Sequence, residues 1–358
     1  MKNTIAILIT LTLMPFFSCI NRVTAKTEPG YLIITAASTS SLQELVNFRK
    51  SQGLNVIVKD CTLFRGTDGK ITSGIIMDYL KTNIKIQNIQ YLLIVGYNYE
   101  IPMVICHPEG EQAAFDMLVA TPTDYPYSCP NAVWDKDGDG KLGEWPDDGI
   151  CAFTPEISVG RIPFSESKKV SDACKAIVEY SNLTDWQRSK ILFAGAMLGY
   201  KGEVWDGKLL ERIDGGDYCQ KVWEDSFANK SYSRYRLYEK EGFLPSPYMC
   251  EEPLNTSTLT EKLTDRYGLV LWTGHGNSSA VVRTVWSGNG TKAVPDKGET
   301  RQPKLINTDD LSSKSVKWGI VVAASCSTSD PSNNSNLGAS FISSGAIGYV
   351  GSSRVSWS

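Results

Sequence analysis

Two residues of this 358-residue chain stand where their chemistry could be used. Only two histidines occur, His107 and His275, and His275 closes the run GLVLWTGHG between Gly274 and Gly276. Cys326 ends the comparable run KWGIVVAASC. A thiol with a reference pKa of about 8.5 is only a few per cent thiolate at neutral pH, and a nearby imidazole either raises that fraction or takes the proton as attack proceeds. Flanking glycines leave room for a substrate backbone to approach. Taken singly, each residue also has a plain reading: a buried cysteine at a strand end is a small hydrophobe, and a lone histidine is a hydrogen-bonded structural residue. What joins them is that both follow apolar runs of the kind that form strands of one sheet.

The elements that would carry them are legible from periodicity. Tyr31–Thr35, Asn55–Lys59 and Tyr91–Gly96 read as strands, and the last is continuously apolar, as in a parallel sheet buried on both faces. Between them SSLQELVNFRKSQG has helical spacing and ends at Gly53, and 71–84 is a second helix. PEISVGRIP supplies a further strand and SESKKVSDACKAIVEYSN a helix with Ser165 or Ser167 as N-cap. Near Thr184 the pattern restarts, with strands at 191–196, 234–239, 268–273, 319–324 and 346–351 and helices at 205–223 and 257–267. Strand alternating with helix is an α/β signature, here as two adjacent units with mainly parallel sheets, 26–183 and 184–358. In open parallel sheets ligands gather at the carboxyl ends of neighbouring strands, so His275 and Cys326 are expected at one edge.

From Ile101 to Thr154 the periodicity fails, and the segment reads as an excursion from the first sheet. It contains DKDGDGKLGEW, which resembles the first half of a calcium loop, with carboxylates at every second position and Gly140 at the turn. Asp135, Asp137, Asp139, Lys141 and Glu144 are the candidate ligands of a structural calcium ion. The second half departs from the pattern, with Pro146 at the twelfth position, so that Glu144, Asp147 or Asp148 must close the shell; the plain alternative is a soluble Asp-rich turn.

Lys2 followed by the apolar stretch 5–17 is a secretory leader within residues 1–25, too short for a membrane anchor. Two processing sites compete: cleavage before Cys19, leaving it lipidated on the outer membrane, or ordinary cleavage after Ala25. The chain is expected in the cell envelope or secreted. A net charge of −3 gives no footprint for nucleic acid. With Cys19 and Cys326 set aside, the remaining seven of nine cysteines are an odd set, so at least one stays unpaired within the chain, and Cys129 with Cys151 is the pair to test first.

GLVLWTGHG and GIVVAASC resemble the His and Cys blocks of the caspase-like clan, and most of all those of the gingipain family of cysteine peptidases. YLIITA, FRKSQGLNV, YLLIVGY, PEISVGR and GAIGYVGSSRVSW occur in that family's order. The resemblance implies a caspase-like three-layer α/β sandwich and a cysteine endopeptidase acting on proteins or peptides through a thioester. Cys326 is then the nucleophile and His275 the acid/base, with the N–H groups of Gly276 and Cys326 forming the oxyanion hole. Glu156 would contact the histidine, although pairing with Arg161 is its plain alternative. Ser352, Ser353 and Trp357 would wall the pocket for the P1 side chain. An amine in place of water would make the same dyad a transpeptidase, and an inactive binding module is a third reading. The family continues beyond the last strand into a further helix, which implies a catalytic unit cut short at Ser358.

Overall fold

A computed structural model of the protein describes residues 28–107, 120–144, 147–148, 154–205, 208–209, 211–288, 294–312, 316 and 319–356. The expected leader, Cys19, Cys151, Pro146 and Trp357 lie outside the described residues.

The first apolar run forms β1 (Gly30–Thr35). It is followed by α1 (Gln43–Ser51), β2 (Asn55–Asp60), α2 (Ser73–Asn83) and β3 (Ile89–Val95). Gly53 stops α1 as expected, at φ 80°, a left-handed turn open to glycine without a Cβ penalty. After the excursion come β4 (Ser158–Ile162) and α3 (Ser167–Ser181). These strands make one parallel sheet in the order β2-β1-β3-β4. Alternation along the strands builds its two faces. Leu32, Ile34, Leu92 and Ile94 pack on Ile76 and Leu80 of α2, whereas Ile33, Leu93 and Val95 meet Leu45 and Val46 of α1 and Val170 and Ala173 of α3.

The second unit opens with β5 (Lys190–Gly195) and the short β6 (Met197–Gly199). There follow α4 (Gly215–Ser226), β7 (Ser233–Tyr238), β8 (Glu252–Pro253), α5 (Thr256–Lys262) and β9 (Leu269–Thr273). A three-stranded antiparallel flap, β10 (His275–Gly276), β11 (Ala280–Val282) and β12 (Lys304–Asn307), precedes β13 (Ile320–Ala324), α6 (Leu337–Ser343) and β14 (Gly348–Val350). The main sheet runs β8-β7-β5-β9-β13-β14, parallel throughout. One face, with Leu192, Val270, Trp272 and Val321, is covered by Leu259 of α5 and Phe341 of α6. The other, with Ile191, Phe193 and Leu271, is covered by Cys219 and Trp223 of α4. Both units are therefore helix–sheet–helix layers, and Ile342 of α6 packs into the first unit's core.

Three local expectations are corrected. The N-cap of α3 is Glu166, because the Ser165 hydroxyl is engaged by Glu100 Oε1 at 2.9 Å. The helix expected over 205–223 begins only at Gly215, where the Asp214 carboxylate accepts from Gly216 N–H at 2.8 Å; short strands precede it. The helix expected to reach Tyr267 ends at Lys262. Of the described cysteines, Cys61, Cys174, Cys219, Cys250 and Cys326 are free thiols.

Candidate active site

β9 and β13 are adjacent in the sheet, and their parallel register sets Thr273 against Ala324. His275 and Cys326 each stand two residues beyond that pair, at the carboxyl ends of adjacent strands. Gly276 lies directly against the cysteine segment. A Cβ there would sit 2.6 Å from the Cys326 carbonyl oxygen and 2.9 Å from Ser325 Cβ, a separation that only glycine allows.

His275 is held from the neighbouring strand end. Its Nε2 lies 2.6 Å from the carbonyl oxygen of Leu198 in β6. A carbonyl oxygen only accepts, so Nε2 carries the hydrogen, and in the neutral ring Nδ1 is left with its lone pair. The bond therefore selects the tautomer that can take a proton through Nδ1.

The Cys326 thiol donates to the Ser356 carbonyl at 3.3 Å. Residues 352–356 lie along the cysteine loop, with Ser327 N–H donating to Arg354 O at 2.8 Å and Ser329 N–H to Ser352 O at 2.9 Å. Ser327 has φ 55°, a left-handed conformation that costs a non-glycine residue about 1 kcal/mol or more, and these bonds hold it there. On the histidine side, Asn277 N–H donates to Ala280 O at 2.9 Å. Antiparallel pairs alternate, so Gly276 and Val281 are a non-hydrogen-bonded pair and the Gly276 N–H turns away from β11.

The other nominated residues divide between the cysteine loop and the first unit. Glu156, expected as the orienter of His275, is engaged by Asn131. Its carboxylate accepts from the Asn131 N–H at 3.1 Å and from Nδ2 at 2.7 Å. Arg161 is not its partner: that guanidinium is bound to Asp124 through Nε at 2.7 Å and Nη2 at 2.8 Å. Ser352 contributes its carbonyl to the cysteine loop, and Ser353 lines a cavity of about 450 Å³ between the two sheets with Tyr97, Arg161, Ser329 and Tyr349. The Asp-rich loop brings together Asp135, Asp137 and Asp148, and next to them Asp137, Asp139 and Glu144, with the carboxylate oxygens of each group within 4.8 Å of one another. Lys141 Nζ bridges Asp139 and Glu144 at 3.1 and 3.0 Å. Hydrogen bonds from the backbone and side chain of Lys141 hold the Asp139 carboxyl below the usual range, and the backbone N–H of Lys136 does the same for Asp148. Leu198, Ser356 and Thr284 are site residues that sequence reasoning missed, and the first two act through backbone carbonyls that no residue type announces.

These layers and strand ends define an α/β protein of caspase-like architecture with a cysteine and a histidine at adjacent carboxyl ends of one parallel sheet. The chain matches the family described as peptidase family C25 over residues 24–358 and belongs to it. Among solved structures it resembles the complex of the pro- and mature domains of RgpB from Porphyromonas gingivalis, with a TM-score of 0.59 and 14% identity over 91% of this chain and 64% of that one. It also resembles the Arg-specific cysteine proteinase gingipain R, with a TM-score of 0.57 and 13% identity over 88% of this chain and 59% of that one. The likeness is one of fold, and the chain spans less than two thirds of the length of either. No curated protein is similar to it in sequence.

Proposed function

We propose that the protein is a cysteine endopeptidase in which Cys326 attacks the carbonyl carbon of a peptide bond. The thiol proton passes to His275 Nδ1 as the S–C bond forms. The carbonyl oxygen becomes an oxyanion facing the N–H groups of Gly276 and Cys326, and loss of one such donor typically costs a few kcal/mol in the barrier. His275 then protonates the leaving amine as the C–N bond breaks, leaving a thioester. Water, deprotonated by His275, attacks that thioester to release the acid and restore the thiol. The observation that carries this reading is the pairing of Thr273 with Ala324, from which both reactive residues project by the same two-residue step. The test is a library of peptidyl acyloxymethyl ketones applied to the purified protein. Covalent labelling is expected in the wild type and absent in Cys326→Ala and His275→Ala; labelling that persists in Cys326→Ala overturns the assignment. A product carrying an added amine in place of water would make the reaction transpeptidation.

The same reading takes proteins or peptides as substrates and puts the mature chain in the cell envelope or the medium. No described helix is long and apolar enough to cross a membrane. Attachment to the outer membrane would then rest on Cys19, and the mass of the mature N-terminus distinguishes a lipidated Cys19 from a start after Ala25. Asp135, Asp137, Asp139, Glu144 and Asp148 would hold a structural calcium ion, which needs six to eight oxygens and would release Lys141 from its two carboxylates. The ion would brace the excursion and take no part in the chemistry.

A further inference from the structure

The carbonyl that selects the His275 tautomer is itself held. Thr284, 3% exposed, donates its hydroxyl to the same Leu198 oxygen at 3.1 Å, and its N–H donates to the preceding carbonyl, that of Met197, at 2.8 Å. On its other side Met197–Gly199 is pinned by antiparallel pairing with Ile213 and Asp214. Leu198 is thus gripped from both edges, and its oxygen receives two donors, the imidazole N–H and the threonine O–H.

Thr284 is well anchored for this task. It follows β11, whose Val282 pairs with His275 across the flap, so the histidine and the threonine belong to the two arms of one hairpin. Between them Arg283 is almost fully buried and donates through Nη1 to Glu239 Oε1 at 2.7 Å and through Nη2 to Glu241 Oε2 at 2.6 Å, while its N–H donates to Pro303 O at 3.1 Å. Breaking a buried pair of this kind strands a charge, so the return arm of the hairpin is the rigid one.

We infer that Thr284 is a positioning residue for the reaction: it fixes the Leu198 carbonyl where His275 Nε2–H must meet it, and so sets both the tautomer and the readiness of the ring to carry charge. When His275 becomes an imidazolium during thiol deprotonation, the short Nε2–H···O bond strengthens as a charge-assisted one, provided the carbonyl stays in place. A carbonyl released from Thr284 stabilises the cation less. Among the described residues, the charged and titratable groups on the elements adjoining His275 include Cys326, just beyond β13, and the Arg283–Glu239–Glu241 cluster next to Thr284. The inference rests on the peptidase reading for its kinetic consequence, but not for its structural one.

The test uses Thr284→Val, which keeps the branched shape, and Thr284→Ser, which keeps the hydroxyl. With a peptidyl acyloxymethyl ketone, Thr284→Val is expected to lower the maximal inactivation rate about five- to tenfold with the half-saturating concentration unchanged, and to move the acid limb of the pH profile down by about half a unit. Thr284→Ser is expected to restore both. An unchanged profile, or a limb moved to higher pH, overturns the inference, since the hydroxyl would then be inert or merely competing for the carbonyl. A second measurement needs no turnover. The chain has two histidines, so ¹⁵N imidazole spectra report His275 once His107→Gln has identified the other signal. A predominantly Nε2–H tautomer is expected in the wild type and a mixed population in Thr284→Val. An unchanged tautomer in a folded Thr284→Val rules the inference out whatever the activity, and a protein with the expected tautomers but no labelling of Cys326 faults the peptidase reading alone.

Discussion

A methyl group on Gly276 would meet the Cys326 carbonyl oxygen at 2.6 Å and Ser325 Cβ at 2.9 Å, and both are backbone-fixed parts of the neighbouring strand end. Gly276→Ala can be accommodated only by moving the histidine arm away from the cysteine loop. Because a misplacement of about 1 Å between reacting groups can cost on the order of 10²-fold in rate, Gly276→Ala is expected to reduce Cys326 labelling about a hundredfold while far-ultraviolet circular dichroism stays native. Labelling near the wild-type rate would mean that this contact is not part of the machinery. At this scale the sequence is informative for side chains and silent for backbone. His275 and Cys326 are visible because an imidazole and a thiol follow apolar runs flanked by small residues. The Leu198 and Ser356 carbonyls are invisible, since any residue offers one, and Thr284 is hidden among the 358 residues until the hairpin folds it back. Nor does a carboxylate near a strand end, such as that of Glu156, declare that Asn131 supplies it with two donors.

Among the elements, the strands are readable and the starts of helices α3 and α4 are not. Parallel strands buried on both faces write themselves as unbroken apolar runs, so β1, β3, β5, β9 and β13 were expected close to where they lie. The turn into α4 depends on Asp214 and two glycines pressed against the end of β5, a tertiary contact that periodicity does not carry. The Glu166 side chain at the start of helix α3 makes no capping hydrogen bond and contributes through other partners. Burial would raise the Glu166 carboxyl, but hydrogen bonds from Lys169, from its own backbone N–H and from the Tyr97 hydroxyl outweigh that and hold it down to about 2. A carboxyl whose folded pKa is depressed adds stability above its unfolded value, about 4.3, and loses it as pH falls toward 2. The side chain is 48% exposed, so screening limits the contribution to under about 1 kcal/mol. The melting temperature of the wild type should therefore exceed that of Glu166→Gln slightly at pH 6, and the difference should shrink progressively as pH falls from about 4 toward 2; a difference independent of pH would locate the effect elsewhere. The Asp-rich loop makes a larger prediction. If it holds calcium, a hundredfold excess over Kd adds about 2.7 kcal/mol, so the melting temperature should climb with calcium in the wild type and not in Asp137→Ala. Equal responses would leave the loop a plain acidic turn.

Across the whole molecule, the two sheets meet through α6 and through the segment that follows β14. Arg354 is the tie. Its Nη2 donates to Ala120 O at 2.9 Å, in the excursion from the first sheet, its Nη1 lies 3.6 Å from Asp330 beyond the nucleophile, and its carbonyl accepts from Ser327 N–H. One side chain thus links the first unit, the cysteine loop and the strap whose Ser356 carbonyl accepts from the thiol. That last bond exists only for the protonated sulfur, because a thiolate has no hydrogen to give and is repelled by a carbonyl oxygen. The strap thus lies against the sulfur in its thiol form, and loosening the strap should uncover it. Arg354→Ala removes two of the three links without touching the core, so the melting temperature should fall by only a few degrees. Alkylation of Cys326 by iodoacetamide at pH 7 should accelerate about three- to tenfold, with Cys326→Ala supplying the background from the other thiols. A rate that is unchanged or slower would mean that the strap positions the thiol without restraining it, and that the link between the two sheets has no bearing on the reactivity of the sulfur.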